Sequence, residues 1–150
     1  MKKVSEICNL YIATLRALYI VEKNCHWLSS GAEGAFYAQH LLFDRIAERS
    51  IKDSDLAAEK MIGIFQKEGF NMALQTQYFS KLLNKYQDEK NLYELCFKME
   101  SDFLDFSQQC YDFFEKEDVL TMGLDDFLMS TCSGHEESYY LLQQALTDNE

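Results

Sequence analysis

Four side chains that could ligate a metal ion lie in one segment of the chain: His40, Asp44, Asp55 and Glu59. On an α-helix, His40/Asp44 and Asp55/Glu59 are i,i+4 neighbours, so the side chains of each pair share a face. At about 100° per residue, all four positions fall within an arc of roughly 100°. Asp44 and Asp55 are nevertheless about 16 Å apart along the helix axis. A single helix therefore cannot fold both pairs around one metal ion.

A second copy of the same helix would solve this problem. If two antiparallel copies are related by a two-fold axis, each pair meets its complement on the other copy. This geometry predicts a metal site that is shared between subunits. His26, which precedes Trp27, offers another imidazole, and imidazole with carboxylate ligands suits iron, manganese or zinc. Taken singly, a histidine at a helix end is usually a hydrogen-bonding group, and carboxylates on a helix flank are usually solvated.

The composition indicates a helical domain with an acidic surface. A chain of 150 residues with 47% apolar residues is most simply one domain, 1–150, with a substantial core. The chain has no proline and only six glycines, which favours long helices. The net charge of −11 disfavours binding to nucleic-acid phosphates and attracts cations.

The sequence predicts a cytoplasmic protein. No apolar run approaches the roughly 20 residues of a membrane span, so no membrane partner is expected. The first residues, Met1–Glu6, lead directly into an amphipathic pattern and lack a signal-peptide core. The five cysteines are odd in number and show no CxxC spacing, which is typical of reduced, mostly buried thiols.

Apolar periodicity predicts four long helices and a short one. The first helix ends near residue 28, the second spans about 36–66, and the short helix spans 73–83. The next helix starts near Leu92 and breaks at residues 115–118, and the last helix starts near Leu124. The core stripe of the second helix lies about 120° from its metal-ligand stripe. The third long helix carries an apolar heptad that predicts its core residues: Leu92, Cys96, Met99, Phe103, Phe106, Cys110 and Phe113. His135 lies on the apolar stripe of the last helix, so we expect a hydrogen-bonded core histidine. Four such helices predict an all-α antiparallel four-helix bundle.

The candidate ligands also occur in a recognisable order. His26-Trp27, then Gly31, then Phe36 to Asp44 including His40, then Asp55 and Glu59, resembles the ferroxidase signature of the Dps family of mini-ferritins. That resemblance implies a ferritin-like bundle with a short extra helix between the second and third long helices. It also implies that His26, His40 and Asp44 come from one subunit, while Asp55 and Glu59 come from its two-fold partner.

The resemblance carries an expected function as well. Members of that family form hollow twelve-subunit shells, bind Fe(II) at these interfaces and oxidise it with hydrogen peroxide in preference to oxygen. They store the ferric product as mineral, which limits oxidative damage. The resemblance therefore implies a homo-oligomeric ferroxidase with a mono-iron or di-iron site at each two-fold interface, where the five residues serve as catalytic metal ligands.

Several residues depart from the family pattern. The loop between His26 and His40 is about two residues longer than usual, and Arg49 stands where many relatives carry a tryptophan. DNA-binding relatives carry lysine-rich tails, whereas this chain has only Lys2 and Lys3 near its start and ends Thr147-Asp148-Asn149-Glu150. DNA binding is therefore not expected. A larger ferritin would need Glu-x-x-His pairs within one bundle, and the sequence has none.

Three alternatives to the ferroxidase interpretation remain open at this stage. They are a Dps-like shell that shields DNA, a non-enzymatic interaction shell and a protein that buffers zinc or manganese. The ligand set does not distinguish these metals.

Overall fold

The computed structural model describes residues 2–30, 36–67 and 70–147. These residues form five α-helices and no strand: α1 (Lys2–Leu28), α2 (Phe36–Phe65), α3 (Met72–Tyr86), α4 (Leu92–Lys116) and α5 (Met122–Thr147). The prediction of four long helices and a short one is confirmed. Gly31 of the signature-like run and the last residues, 148–150, lie outside the described residues.

The long helices form an antiparallel four-helix bundle of the ferritin-like type. α1 packs against α2 and α4, α2 also packs against α5, and α4 against α5, which closes the bundle. The short helix α3 lies between the second and third long helices in the chain and packs on α1. It is attached by Asn9, whose side-chain oxygen accepts hydrogen bonds from the Asn71 backbone and the Gln75 side chain.

The core is built from the predicted apolar stripes. On α2, the buried residues are Phe43, Ile46, Ala47, Ser50, Ser54, Ala57 and Met61. Tyr11 of α1 lies against Phe103 and Phe106 of α4, with ring centroids 5.6 and 6.2 Å apart. Phe113 of the predicted heptad packs against the core but is only partly buried, whereas its neighbour Phe114 is fully buried. A helix with 3.6 residues per turn drifts about 20° per heptad from a 3.5-residue repeat, which explains the shift.

The predicted break at residues 115–118 is confirmed, because α4 ends at Lys116. Asp118 then adopts a left-handed conformation with φ 58°. The backbone N–H groups of Asp118 and Val119 donate to the carbonyls of Glu115 and Phe114, which is the Schellman pattern of helix termination. The change of backbone conformation, rather than the change of polarity, ends this helix.

By length and composition, α1 over Lys3–Leu28 could cross a membrane, although the sequence analysis predicted no such span. Of its most apolar 18-residue window, 61% is buried inside the bundle. A helix that contacts α2, α3 and α4 at once is apolar because it forms the centre of the core.

Candidate metal site

His26 and His40 meet where α1 ends and α2 begins. Their rings are stacked with centroids 3.7 Å apart. His26 Nδ1 lies 2.8 Å from the His40 carbonyl oxygen, and His40 Nδ1 lies 2.9 Å from the His26 carbonyl oxygen. Because a carbonyl oxygen can only accept, each Nδ1 must carry the hydrogen and donate it. We call this reciprocal arrangement the histidine clasp.

With the hydrogen on Nδ1, the lone pair of a neutral imidazole lies on Nε2. A metal-ligating histidine usually donates its other ring N–H to a carboxylate, a water or a backbone carbonyl, as both histidines do here, and this hydrogen bond fixes the tautomer. The His26 carbonyl is available because it lies in the last turn of α1, where carbonyls lack a partner within the helix. Ser29 also donates to this carbonyl, at 2.8 Å, and so reinforces the position of the clasp.

Asp44 follows His40 by about one helical turn and faces α1. Its Oδ1 lies 2.7 Å from Lys23 Nζ and 3.9 Å from His26 Nε2. The hydrogen bond from Lys23 is the main reason that the pKa of Asp44 is lowered, and the same bond raises the pKa of Lys23. Lys23 also approaches Glu48, at 3.4 Å. Asp44 is therefore an ionised carboxylate beside the clasp, with a lysine in contact with the oxygen that would ligate a cation.

Asp55 and Glu59 lie farther along α2 and are exposed. Neither side chain makes a hydrogen bond or an ion pair with any residue that the structure describes. Since α2 is continuous from Phe36 to Phe65, Asp55 remains about 16 Å from Asp44 along the axis. Within one chain the structure brings His26, His40 and Asp44 together, but not Asp55 and Glu59.

The predicted ligands thus lie in two separate groups, which we call the half-sites of the predicted metal site. In the described ranges 2–30, 36–67 and 70–147, no group of three or more histidines, cysteines or acidic residues is arranged to hold a metal ion. Large apolar side chains beside the half-sites are exposed, namely Trp27 (64%), Leu28 (66%), Tyr37 (68%), Leu41 (46%) and Leu56 (42%). Large exposed apolar side chains are a feature of interaction surfaces when they form one patch.

Arg49 connects α2 to α5. Its guanidinium donates to the Gly134 carbonyl at 2.6 Å and to Ser138 Oγ at 2.7 Å, and it pairs with Glu137 at 3.2 Å. A Cβ atom at Gly134 would lie 3.3 Å from Arg49 Cδ, so the glycine allows this close approach. The contacts that Arg49 makes are structural ones.

His135 is a hydrogen-bonded core histidine, as the sequence predicted. Its ring is fully buried, with Nδ1 2.7 Å from Glu100 Oε2 and Nε2 3.0 Å from Asp53 Oδ2. Burial acts to lower the pKa of His135, but the charges of Glu100 and Asp53 outweigh this effect and raise the pKa to about 9. His135 is therefore protonated at neutral pH and donates from both nitrogens.

Sequence reasoning missed the carboxyl groups that surround this histidine. Glu22 and Glu100 are fully buried, and Ser50 donates to Glu22 Oε1 at 2.9 Å. Burial, followed by the charge of Glu100, raises the pKa of Glu22 well above its usual range. One signal was available, because Glu100 lies four residues after Cys96 and three before Phe103, on the core face of the predicted heptad.

Comparison with solved structures gives a close match in shape. The chain superposes on the X-ray structure of Dps from Thermosynechococcus elongatus with a TM-score of 0.78. The match covers 96% of this chain and 90% of that chain, at 16% sequence identity. No family model and no curated protein matches the sequence. The neighbour is a Dps structure, and at this identity the likeness shows a shared fold: a ferritin-like bundle.

Proposed function

We propose that this protein is a cytoplasmic ferroxidase and iron-storage protein of the mini-ferritin type. Fe(II) is its substrate, and the metal ligands are His26, His40 and Asp44 of one subunit with Asp55 and Glu59 of a second copy. The observation that carries the proposal is the histidine clasp, which holds two imidazole rings together through their Nδ1 atoms and sets His26 Nε2 3.9 Å from the ionised Asp44. The fold shared with a Dps structure and the resemblance of the ligand order support it.

The symmetry of the ligand positions supports a shared site. The pairs His40/Asp44 and Asp55/Glu59 are equidistant from one point on α2, between Arg49 and Ser50. A two-fold axis that passes through this point sets His40 opposite Glu59 of the other copy and Asp44 opposite Asp55. One operation therefore completes two equivalent sites. The same contact covers the exposed apolar residues beside the half-sites.

The ligand chemistry suits iron oxidation. Three carboxylates stabilise Fe(III) as its charge rises, and two neutral imidazoles complete the ligand set without adding charge. In the reaction, each of two Fe(II) ions loses one electron to hydrogen peroxide. The O–O bond breaks, and two protons are taken up to form two waters. Lys23 must release Asp44 before that carboxylate can bind the cation.

The larger assembly follows from the resemblance to the Dps family. We propose that the chain is a single domain, 1–150, and that twelve copies form a hollow shell in which ferric mineral is deposited. Removal of Fe(II) together with peroxide would protect the cell from oxidative damage. A net charge of −11 attracts Fe(II) and repels DNA, so DNA is not a proposed partner.

The test is anaerobic loading with Fe(II) followed by hydrogen peroxide, with the ferric absorbance recorded over time. His40→Ala should oxidise Fe(II) no faster than buffer, whereas the matched control Gln144→Ala, exposed on α5, should oxidise it at the wild-type rate. Equal rates for His40→Ala and wild type would contradict the site. If the wild-type protein binds Fe(II) without oxidising it, and zinc or manganese displaces the iron, the protein is a metal buffer instead.

A further inference from the structure

Two thiols that the proposed function does not use meet inside the bundle. Cys25 lies in the last turn of α1, and Cys96 lies in the second turn of α4, 71 residues later in the chain. Both residues are buried, with 1% and 0% of their surface exposed, and they belong to one apolar cluster with Phe43 and Leu142. Their sulfur atoms lie 3.5 Å apart. We call these two residues the thiol pair.

The two side chains of the thiol pair are directed toward each other. The Cys96 thiol donates a hydrogen bond to Cys25 Sγ, which in turn lies 4.0 Å from the Leu92 carbonyl oxygen. A disulfide bond is about 2.0 Å long, so the two sulfur atoms need to approach by only about 1.5 Å to form one. In the part of the chain that the structure describes, no other two of the five cysteines are joined by a hydrogen bond. The geometry therefore singles out one pair.

We infer that the thiol pair is a redox-active site, which hydrogen peroxide converts to an intrachain disulfide. In the first step, the sulfur of one thiol attacks a peroxide oxygen, the O–O bond breaks, and a sulfenic acid and a water form. In the second step, the sulfur of the other thiol attacks the sulfenic sulfur and the S–O bond breaks. The displaced hydroxyl leaves as water with the proton of the second thiol. The two electrons of the thiol pair thus reduce one peroxide to two waters.

The surroundings of the two sulfur atoms indicate which one meets peroxide first. The Cys25 carbonyl accepts the last-turn hydrogen bond of α1, from the Ser29 backbone N–H, and helix ends open at a lower free-energy cost than helix interiors. The next residue, His26, keeps 14% of its side chain exposed, so solvent already reaches this turn. Burial, followed by the contact with Cys25, raises the pKa of the Cys96 thiol well above its ordinary value, which slows its own reaction with peroxide. Cys25 is therefore oxidised first, and Cys96 resolves its sulfenic acid.

A redox-active thiol pair agrees with the reduced cysteines expected from the sequence. Disulfides in cytoplasmic proteins are usually transient and serve catalysis or redox sensing, so the reduced pair is the resting state. Oxidation passes two electrons to peroxide together and releases no hydroxyl radical. The disulfide would also tie the end of α1, which carries His26, to the start of α4. This activity goes beyond the proposed function, because it requires no iron.

The experiment treats the folded, fully reduced whole protein with hydrogen peroxide in the presence of a chelator. After denaturation and alkylation, mass spectrometry should show that Cys25 and Cys96 no longer react with the alkylating reagent. Digestion without a reductant should yield a linked peptide that contains both residues. Cys96→Ala should lose this peptide and leave at Cys25 a sulfenic acid that a cyclic diketone traps. The matched control Cys110→Ala, a similarly buried change on the same helix, should form the linked peptide as the wild type does.

Two results would overturn the inference. One is that peroxide leaves Cys25 and Cys96 reduced in the folded wild type, and the other is that the disulfide joins either residue to a different cysteine. Circular dichroism should confirm that Cys96→Ala is folded; if it is not, Cys25→Ala replaces it and should equally lose the linked peptide. Because no iron is present, neither result bears on the proposed iron oxidation, and the two proposals fail separately.

Discussion

Replacement of Lys23 by methionine should strengthen metal binding at the interface site. Lys23 Nζ lies 2.7 Å from Asp44 Oδ1, so a cation that binds Asp44 must first displace the ammonium group. The Lys23 and Asp44 side chains are 18% and 39% exposed, so solvent screens their ion pair to about 1 kcal/mol or less. Methionine keeps the length of the side chain and removes the charge.

A second contribution comes from repulsion between Lys23 and the bound cation. Two unit charges 4 Å apart interact by about 1 kcal/mol in water, and a divalent ion doubles this value, although movement of the flexible lysine reduces it. The two effects together are about 1–2 kcal/mol, which is a roughly five- to thirtyfold lower Kd.

Anaerobic titration calorimetry with Fe(II) measures this change, and Lys98→Met, an exposed substitution on α4, controls for the loss of one positive charge. An unchanged or weaker affinity in Lys23→Met would refute the idea that Lys23 and the metal compete for Asp44.

Three further predictions follow from the same structure. Asp55→Ala should abolish fast Fe(II) oxidation in stopped-flow assays while circular dichroism stays unchanged, because the side chain is exposed; a normal rate would remove Asp55 from the site. Because the pKa of His135 is raised from 6.5 to about 9, its stabilisation is complete below pH 6.5 and is lost as the pH rises through 9. Over this pH range the free energy of unfolding, measured with urea in the presence of a chelator and at fixed protein concentration, should decrease by about 2–4 kcal/mol. The His135→Gln variant should lack this decrease. With a thiol reagent, the half-buried Cys132 should react first. Burial raises the pKa of the Cys8 thiol to about 12, so Cys8 should react only on unfolding. Rapid reaction of Cys8 in the folded protein would contradict its burial.

The fold could be predicted because the apolar periodicity is strong and few residues interrupt it. The stripe of α2 is buried as predicted, since helical spacing alone decides which residues share a face. The deeper burial of Phe114 than of Phe113 was not predicted. It depends on the small departure of the helix from an ideal heptad repeat, which residue types do not reveal.

The candidate site could be predicted only in part. Spacing placed His40 and Asp44 on one face of α2, but the histidine clasp depends on how the end of α1 meets the start of α2 across a loop. The contact between Lys23 and Asp44 likewise exists only after two helices pack. The buried carboxyl groups of Glu22 and Glu100 were missed because carboxylates are rarely buried.

The central claim is that each iron site is completed by two subunits, and mixed oligomers test it most directly. The variants His40→Ala and Asp55→Ala should each be inactive alone. When equal amounts are dissociated and reassembled together, half of the two-fold pairs contain one of each, and such a pair has one intact site. About a quarter of the wild-type Fe(II) oxidation should therefore return. If reassembly is shown by mass spectrometry and no activity returns, the ligands do not come from two subunits and the account is wrong.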